Sequence, residues 1–528
     1  MKRHALGLAA IAAWLVVLPA TAAIEKVQVT GGEVAGRVEN GVAAFKGIPF
    51  AAPPVGELRW KPPQPVVPWS GTRNAQDYAP GCMQDPGFAR MMGALSGLSE
   101  DCLYLNVWTP AKRADEKLPV MVWIYGGAFA GGQTSIPVYD GTKLAQLGVV
   151  LVSVAYRVGP FGFLAHPELS RESGQGSGNY GLQDQIAGLR WVRDNIARFG
   201  GDPKNVTIFG ESAGAISVSM LAASPAAKGL FHRAISESGG SFAPPRLANE
   251  GGQNVPTLAV AEKTGEQFLA KLGVRDIRAA RALTADQIQN ALPQGLATLF
   301  WPVLDGHVLP GDQYELYQAG RFNDTPILIG TNSDEGALFA RPGVTAESFK
   351  AEVQAGYGEY AERILAVYPH KTDAEAAVGS KDLFRDSAFA WHTWAWARLQ
   401  SQKGRHPAYV YFFDHRTPQS PNGATHAAEI PYVFRNLGIA MGRTRADARP
   451  EDVAMSDLLS RYWVNFARTG DPNGEGLPKW PEFKASAQQV MFFDASPSAR
   501  PVPNLTQLQV LEAYYAWRRE QLKAKGTR

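Results

Sequence analysis

Ser212 stands between two glycines in Gly210-Glu211-Ser212-Ala213-Gly214. Upstream, Asn205-Val206-Thr207-Ile208-Phe209 is short, apolar and rich in β-branched residues, which reads as a buried strand. Downstream, Ala215 to Ala223 reads as a helix. A serine at such a strand-to-helix junction sits on a turn so tight that only small residues fit two positions to either side. Its Oγ then projects at the N-terminus of a helix, whose dipole favours negative charge. The chemistry implied is acyl transfer through a covalent serine intermediate.

A serine hydroxyl is a poor nucleophile until a base takes its proton. Nine histidines are available. His4 belongs to the N-terminal segment, His232 precedes an apolar stretch, and His392 lies in the aromatic run Trp391 to Trp396, where packing roles are expected. In nucleophile-elbow enzymes the base follows the acid in chain order, in a loop after the last strands. His415 and His426 both follow the strand expected over Ala408 to Phe413. His415 abuts the strand end and reads as a cap, whereas His426, in the freer loop from Pro421, is the favoured base. The acid should lie between serine and histidine. Thr325 to Gly336 has the strand-then-loop form required, and either Asp334 or Glu335 could orient an imidazole. Asp305 is a third candidate, although Asp305-Gly306 more often marks a turn. Donors for an oxyanion are expected from the Ala213 amide and from Gly126-Gly127-Ala128-Phe129, a loop directly after the strand ending at Tyr125.

These groups need a scaffold. Leu118 to Tyr125 and Val149 to Tyr156 are continuous apolar runs, as expected of strands covered on both faces. Val206–Phe209, Ala234–Ser236, Pro326–Ile329 and Ala408–Phe413 repeat the pattern, with helical stretches such as Leu182 to Arg198 between several of them. Strand–helix alternation of this kind predicts a mostly parallel sheet flanked by helices. No linker, repeat or charge block divides the chain, so residues 24–528 read as one large α/β domain with long insertions.

The N-terminus reads as an address. Met1-Lys2-Arg3-His4 is basic, Ala5 to Leu18 is apolar, and Pro19 to Ala23 supplies small residues for cleavage. The apolar run is shorter than the ~20 residues of a spanning helix, so residues 1–23 read as a cleaved secretory signal rather than a membrane anchor. Without them the chain carries fifty basic and forty-nine acidic side chains. That balance implies neither a nucleic acid nor an anionic membrane as partner. Oligomeric state is not readable. An exported chain with two cysteines, Cys82 and Cys102, points to one disulfide rather than a zinc site, because no histidine lies between residues 5 and 165.

Several ordered motifs make the chain resemble the type B carboxylesterases, the α/β-hydrolase family that includes the cholinesterases. Phe45 to Ala51 with Pro53-Pro54-Val55-Gly56 resembles the family's opening block. Glu100 to Trp108 resembles its second signature, whose cysteine pairs with an earlier one, here Cys82. Gly178 to Gln185, Phe199 to Pro203 and Tyr462 to Asn473 match further blocks, so the resemblance spans almost the whole chain. It implies an α/β-hydrolase fold and hydrolysis of small-molecule carboxylic esters without cofactor or metal. It also implies Glu335 as the acid and His426 as the base. Glu429 is implied as a supporting group, and Ser238 as a serine that hydrogen-bonds near the acid. Gly127, Ala128 and Ala213 would hold the oxyanion. Ala128 replaces the family's third loop glycine, and relatives with either a Gly-Gly-Gly or a Gly-Gly-Ala loop often accept esters of bulky alcohols. Between Met83 and Asp101 the only aromatic residue is Phe88, so the tryptophan that grips choline in cholinesterases is absent. The same triad would serve amides, lactones or carbamates, and some relatives are non-catalytic binding domains that have lost a triad member.

Overall fold

The apolar runs become the strands of a single large sheet. The computed structural model describes residues 23–247, 254–294, 299–440, 443–444 and 448–524; residues 1–22, nearly all of the segment read as an export signal, lie outside them. In chain order the strands are β1 (Arg37–Glu39), β2 (Val42–Pro49), β3 (Tyr104–Thr109), β4 (Leu118–Ile124), β5 (Val150–Val154), β6 (Gly201–Glu211), β7 (Arg233–Glu237), β8 (Ile327–Asn332), β9 (Ala408–Phe413), β10 (Gln489–Phe493) and β11 (Ser498–Pro501). They lie side by side as β1-β2-β3-β5-β4-β6-β7-β8-β9-β10-β11. From β5 to β10 every neighbouring pair is parallel. The outer pairs, β1 with β2, β2 with β3, β3 with β5 and β10 with β11, are antiparallel. The expected mostly parallel sheet is therefore present, with antiparallel margins.

Burial follows from this topology. Val150 to Val154 and Val120 to Ile124 are buried throughout, as parallel strands covered by helices on both faces must be. Helix α1 (Tyr180–Asn195) turns Leu182, Ile186, Leu189 and Val192 inward at helical spacing and leaves Arg190 and Arg193 outside. It stops earlier than the expected Arg198, because a tight 3₁₀ turn over Ile196–Phe199 runs into Gly200 at φ 81°. Helix α2 (Ala213–Ala223) is buried on every face and is made almost wholly of small or apolar residues. Helix α3 (Pro450–Thr469) packs beneath the sheet and carries Trp463 inward.

The carboxyl ends of the parallel strands are where open α/β sheets bind ligands. Here the loop after β4 carries Gly126 to Phe129, β6 runs directly into Ser212, β8 is followed by Glu335, and β9 by His426.

Candidate active site

The serine is placed by a backbone that few residues could follow. Ser212 has φ 55° and ψ −123°, a conformation costing an L-residue about 1–3 kcal/mol. Its amide donates to the Glu237 carbonyl at 2.9 Å, and its carbonyl accepts from the Ile216 amide at 2.8 Å, tying the turn to β7 and α2. The flanking glycines are required by close approach. A Cβ on Gly214 would lie 2.0 Å from the Ile124 carbonyl oxygen, and one on Gly210 would lie 2.6 Å from that same atom.

The loop after β4 folds back on itself, with the Ala130 and Gly131 amides both donating to the Gly127 carbonyl at 3.0 Å. Ala128 and Phe129 both take φ 54°. Gly126 passes so close to the serine that a Cβ there would meet the Ser212 Cβ at 3.0 Å. Gln84 clamps the loop's far end: its side-chain amide donates to the Gly132 carbonyl and accepts from the Gly132 amide, at 2.9 and 2.8 Å. Gln84 lies two residues after Cys82, which forms a disulfide with Cys102. Gly127, Ala128 and Ala213 all line the cavity that contains Ser212. Ala213 opens α2, where the first amides have no partner within the helix.

The structure brings Glu335 and His426 together. His426 Nδ1 lies 2.6 Å from Glu335 Oε2, and Glu335 Oε1 accepts from the Asn332 amide at 2.7 Å. Glu335 is fully buried. Asp334, its neighbour, points away to Lys381 Nζ at 2.6 Å. Asp305 accepts from the His307 and Leu309 amides, the turn role expected of it. His415 meets Asp452 at 2.7 Å. His392 accepts from the Phe242 amide, and burial together with the Arg519 charge pushes its imidazole down to about 3. The loops carrying Glu335 and His426 are stitched together: the Asp334 amide donates to the Ala424 carbonyl, and the Ala424 amide to Ser333 Oγ.

Other groups have no signal in the sequence. Phe389 stacks on the His426 ring at 4.6 Å, and Phe339 packs against it at 5.2 Å. Asn332 Nδ2 donates to Glu429 Oε2 at 2.6 Å and to the Thr425 carbonyl at 2.8 Å, joining β8 to the base loop. Ser238 does not make the side-chain bond implied by the resemblance. At φ 57° it donates its amide to the Gly330 carbonyl, while its buried Oγ has no hydrogen-bond partner among the described residues.

Glu211 is the largest surprise. Its Oε1 lies 3.1 Å from His426 Nε2, so the imidazole sits between two carboxylates. Burial alone would lower the pKa of His426, but Glu211, Glu335 and Glu429 outweigh it and push the ring up to about 9. Burial in turn raises Glu211 to about 8 and Glu429 to about 7, each further raised by its carboxylate neighbours. Among the described residues Ser212 Oγ makes no hydrogen bond; it opens onto the same cavity as His426. That cavity, of about 530 Å³, is walled mainly by apolar side chains, among them Met92, Ile136, Val138, Trp301, Leu338 and Phe389. Among the described residues Glu211 and His426 are its only ionisable side chains besides Tyr139.

Known proteins carry the same organisation. The carboxylesterase family model matches residues 23–511. The fumonisin B1 esterase of Sphingopyxis macrogoltabida is 39% identical over 470 residues, 86% of this chain and 84% of that protein. The para-nitrobenzyl esterase of Bacillus subtilis is 38% identical over 481 residues, 88% of this chain and 94% of that one. A solved PNB esterase structure superposes with a TM-score of 0.81 at 36% identity, covering 92% of this chain and 99% of its own. A thermophilic PNB esterase gives the same TM-score, identity and coverage. The sheet and its helices are therefore an α/β-hydrolase fold.

Proposed function

We propose, from the premise that this chain belongs to the carboxylesterase family and is a carboxylic ester hydrolase, that it works through an acyl-enzyme made on Ser212 with His426 as base and Glu335 as acid. Ser212 Oγ attacks the ester carbonyl while His426 Nε2 takes its proton. Glu335, held by the Asn332 amide, fixes the tautomer with the proton on Nδ1 and stabilises the imidazolium. The amides of Gly127, Ala128 and Ala213 receive the oxyanion. His426 then protonates the departing alcohol, and a water molecule repeats the sequence on the acyl-enzyme. The observation that carries this reading is the buried 2.6 Å contact of His426 with Glu335 inside the cavity onto which the strained Ser212 opens.

The cavity supports uncharged, largely apolar ester groups around the scissile bond, since its wall holds no lysine or arginine among the described residues. With Ala128 in the oxyanion loop, esters of bulky alcohols belong in the first substrate panel. Export to the periplasm or the medium is the reading of residues 1–23, and the disulfide is consistent with an oxidising compartment.

The test is turnover of p-nitrophenyl esters of rising acyl length by the protein and by Ser212→Ala. Loss of turnover by about 10⁴-fold or more in the variant is expected. Equal rates in the two proteins would overturn the assignment of Ser212.

A further inference from the structure

A second cavity, larger than the first, adjoins the ester site. It measures about 780 Å³ and is bounded by the segment Asp85 to Met91 on one side and by Gln289 to Gln294 on the other. Phe88 and Met91 line both cavities, so two side chains are the partition between them. The backbone of this wall is anchored, because the disulfide and the Gln84 clamp hold the residues just before it. Met91 itself is 58% exposed, and an unbranched thioether can swing aside without disturbing the fold.

The two chambers differ in chemistry. The inner one is apolar with Glu211 at its floor, whereas the outer one presents Arg90 and the side-chain amides of Gln289, Asn290 and Gln294. Arg90 makes no ion pair among the described residues. The acid nearby, Asp85, has its Oδ1 engaged by the Phe88 amide at 2.7 Å. A guanidinium with no ion pair among the described residues, beside several amide donors, suits an anionic oxygen acceptor, whereas the inner chamber is walled mainly by apolar side chains.

We propose that the outer cavity is a second compartment of the ester site, which seats a carboxylate at the far end of an extended substrate whose ester bond lies at Ser212. The proposal rests on the ester-hydrolase assignment of Ser212. It makes the protein selective for long esters with an apolar middle and an anionic end, threaded past Phe88 and Met91.

The experiment compares kcat/KM for mono-p-nitrophenyl esters of α,ω-diacids, from adipate to dodecanedioate, with the same chains ended in a primary amide. A parallel series uses ω-acetoxy acids and their amides, so that a tail on either side of the ester is sampled. The carboxylate-to-amide ratio is expected to rise about two- to fivefold once the chain passes the partition in one of the series, the size of a partly solvated ion pair. It should fall back in Arg90→Ala, invert in Arg90→Glu, and vanish at high salt. p-Nitrophenyl acetate should be hydrolysed equally by all three proteins. A ratio that stays flat with length in both series, or a rise that survives Arg90→Glu, overturns the proposal. Loss of dependence on Ser212 with p-nitrophenyl acetate would instead overturn the assignment beneath it.

Discussion

Replacing Gly214 by alanine adds one methyl group at the point where α2 crosses β4. The added Cβ would stand 2.0 Å from the Ile124 carbonyl oxygen and 2.8 Å from its carbon, where real contacts begin near 3.0 Å. Both obstacles are backbone atoms of a strand that is hydrogen-bonded on each side, so the strand cannot give way. The helix must move by about 1 Å, and it carries Ala213 and Ser212 with it. A misplacement of that size costs about 10²-fold in rate, or nearly 3 kcal/mol of barrier. Overpacking adds about 1–3 kcal/mol of destabilisation. Gly214 lies within a helix, so no special φ is lost and the penalty is wholly steric. Gly356→Ala is the matching control, since nothing lies within 4 Å of its added Cβ near the end of the helix Ala346–Tyr357. It should leave kcat unchanged and keep or slightly raise the melting temperature. The assay is kcat on p-nitrophenyl acetate, normalised to burst-titrated sites, alongside thermal melting of both variants. A Gly214→Ala protein with wild-type kcat would refute the reasoning.

Glu335→Gln keeps the shape of the acid but removes its charge, and kcat should fall by about 10⁴-fold. Asp334→Asn should leave kcat within about twofold and cost roughly 1 kcal/mol of stability through the lost Lys381 pair; equal damage from both variants would refute the choice of Glu335. The base works only when neutral, so kcat/KM should climb as pH rises toward about 9, the value to which burial and then, outweighing it, the surrounding carboxylates bring His426. A carboxylate 3.1 Å away stabilises the imidazolium, so Glu211→Gln should lower that pKa and move the acid limb down by at least about one pH unit. An unmoved limb, or one displaced upward, would count against Glu211 as the neighbour that holds the proton.

What could be read from the chain was whatever depends on neighbours in sequence. The elbow is local: a β-branched strand, two glycines around a serine and a run of small residues are all adjacent, and the structure follows them closely. The strand over Ala408–Phe413 has the expected bounds for the same reason. The choice between Asp334 and Glu335 was closed to pattern reading, because their difference lies in Lys381, distant in sequence, which draws one carboxylate away. His415 reads as a cap at the strand end, and its partner Asp452, distant in sequence, carries no local signal. The strand margins β1 and β11 are short and largely exposed, so their sequence carries little of the apolar signal that marked the central strands. Phe389 and Phe339 carry no local signal of their place, because only the fold sets them against one imidazole.

The acidic surroundings of that imidazole follow from the same logic of gathered segments. Glu211 comes from the elbow, Glu237 from the end of β7, Glu335 from the loop after β8 and Glu429 from just beyond the base. Each of these segments contributes one carboxylate to a space that water hardly reaches. Burial raises Glu237 well above the usual carboxylate range, although it accepts from Trp463 Nε1 at 2.7 Å. A single imidazolium cannot balance four ionised neighbours in such a medium, so some of them keep their protons at neutral pH. Glu335 is the one bonded both to the ring nitrogen and to a backbone amide. Burial holds Glu211, Glu237 and Glu429 above the usual carboxylate range, so these three take up charge only as the pH rises. Under the proposed mechanism, the proton inventory of the cluster, rather than the histidine alone, sets the pH at which the serine becomes a nucleophile.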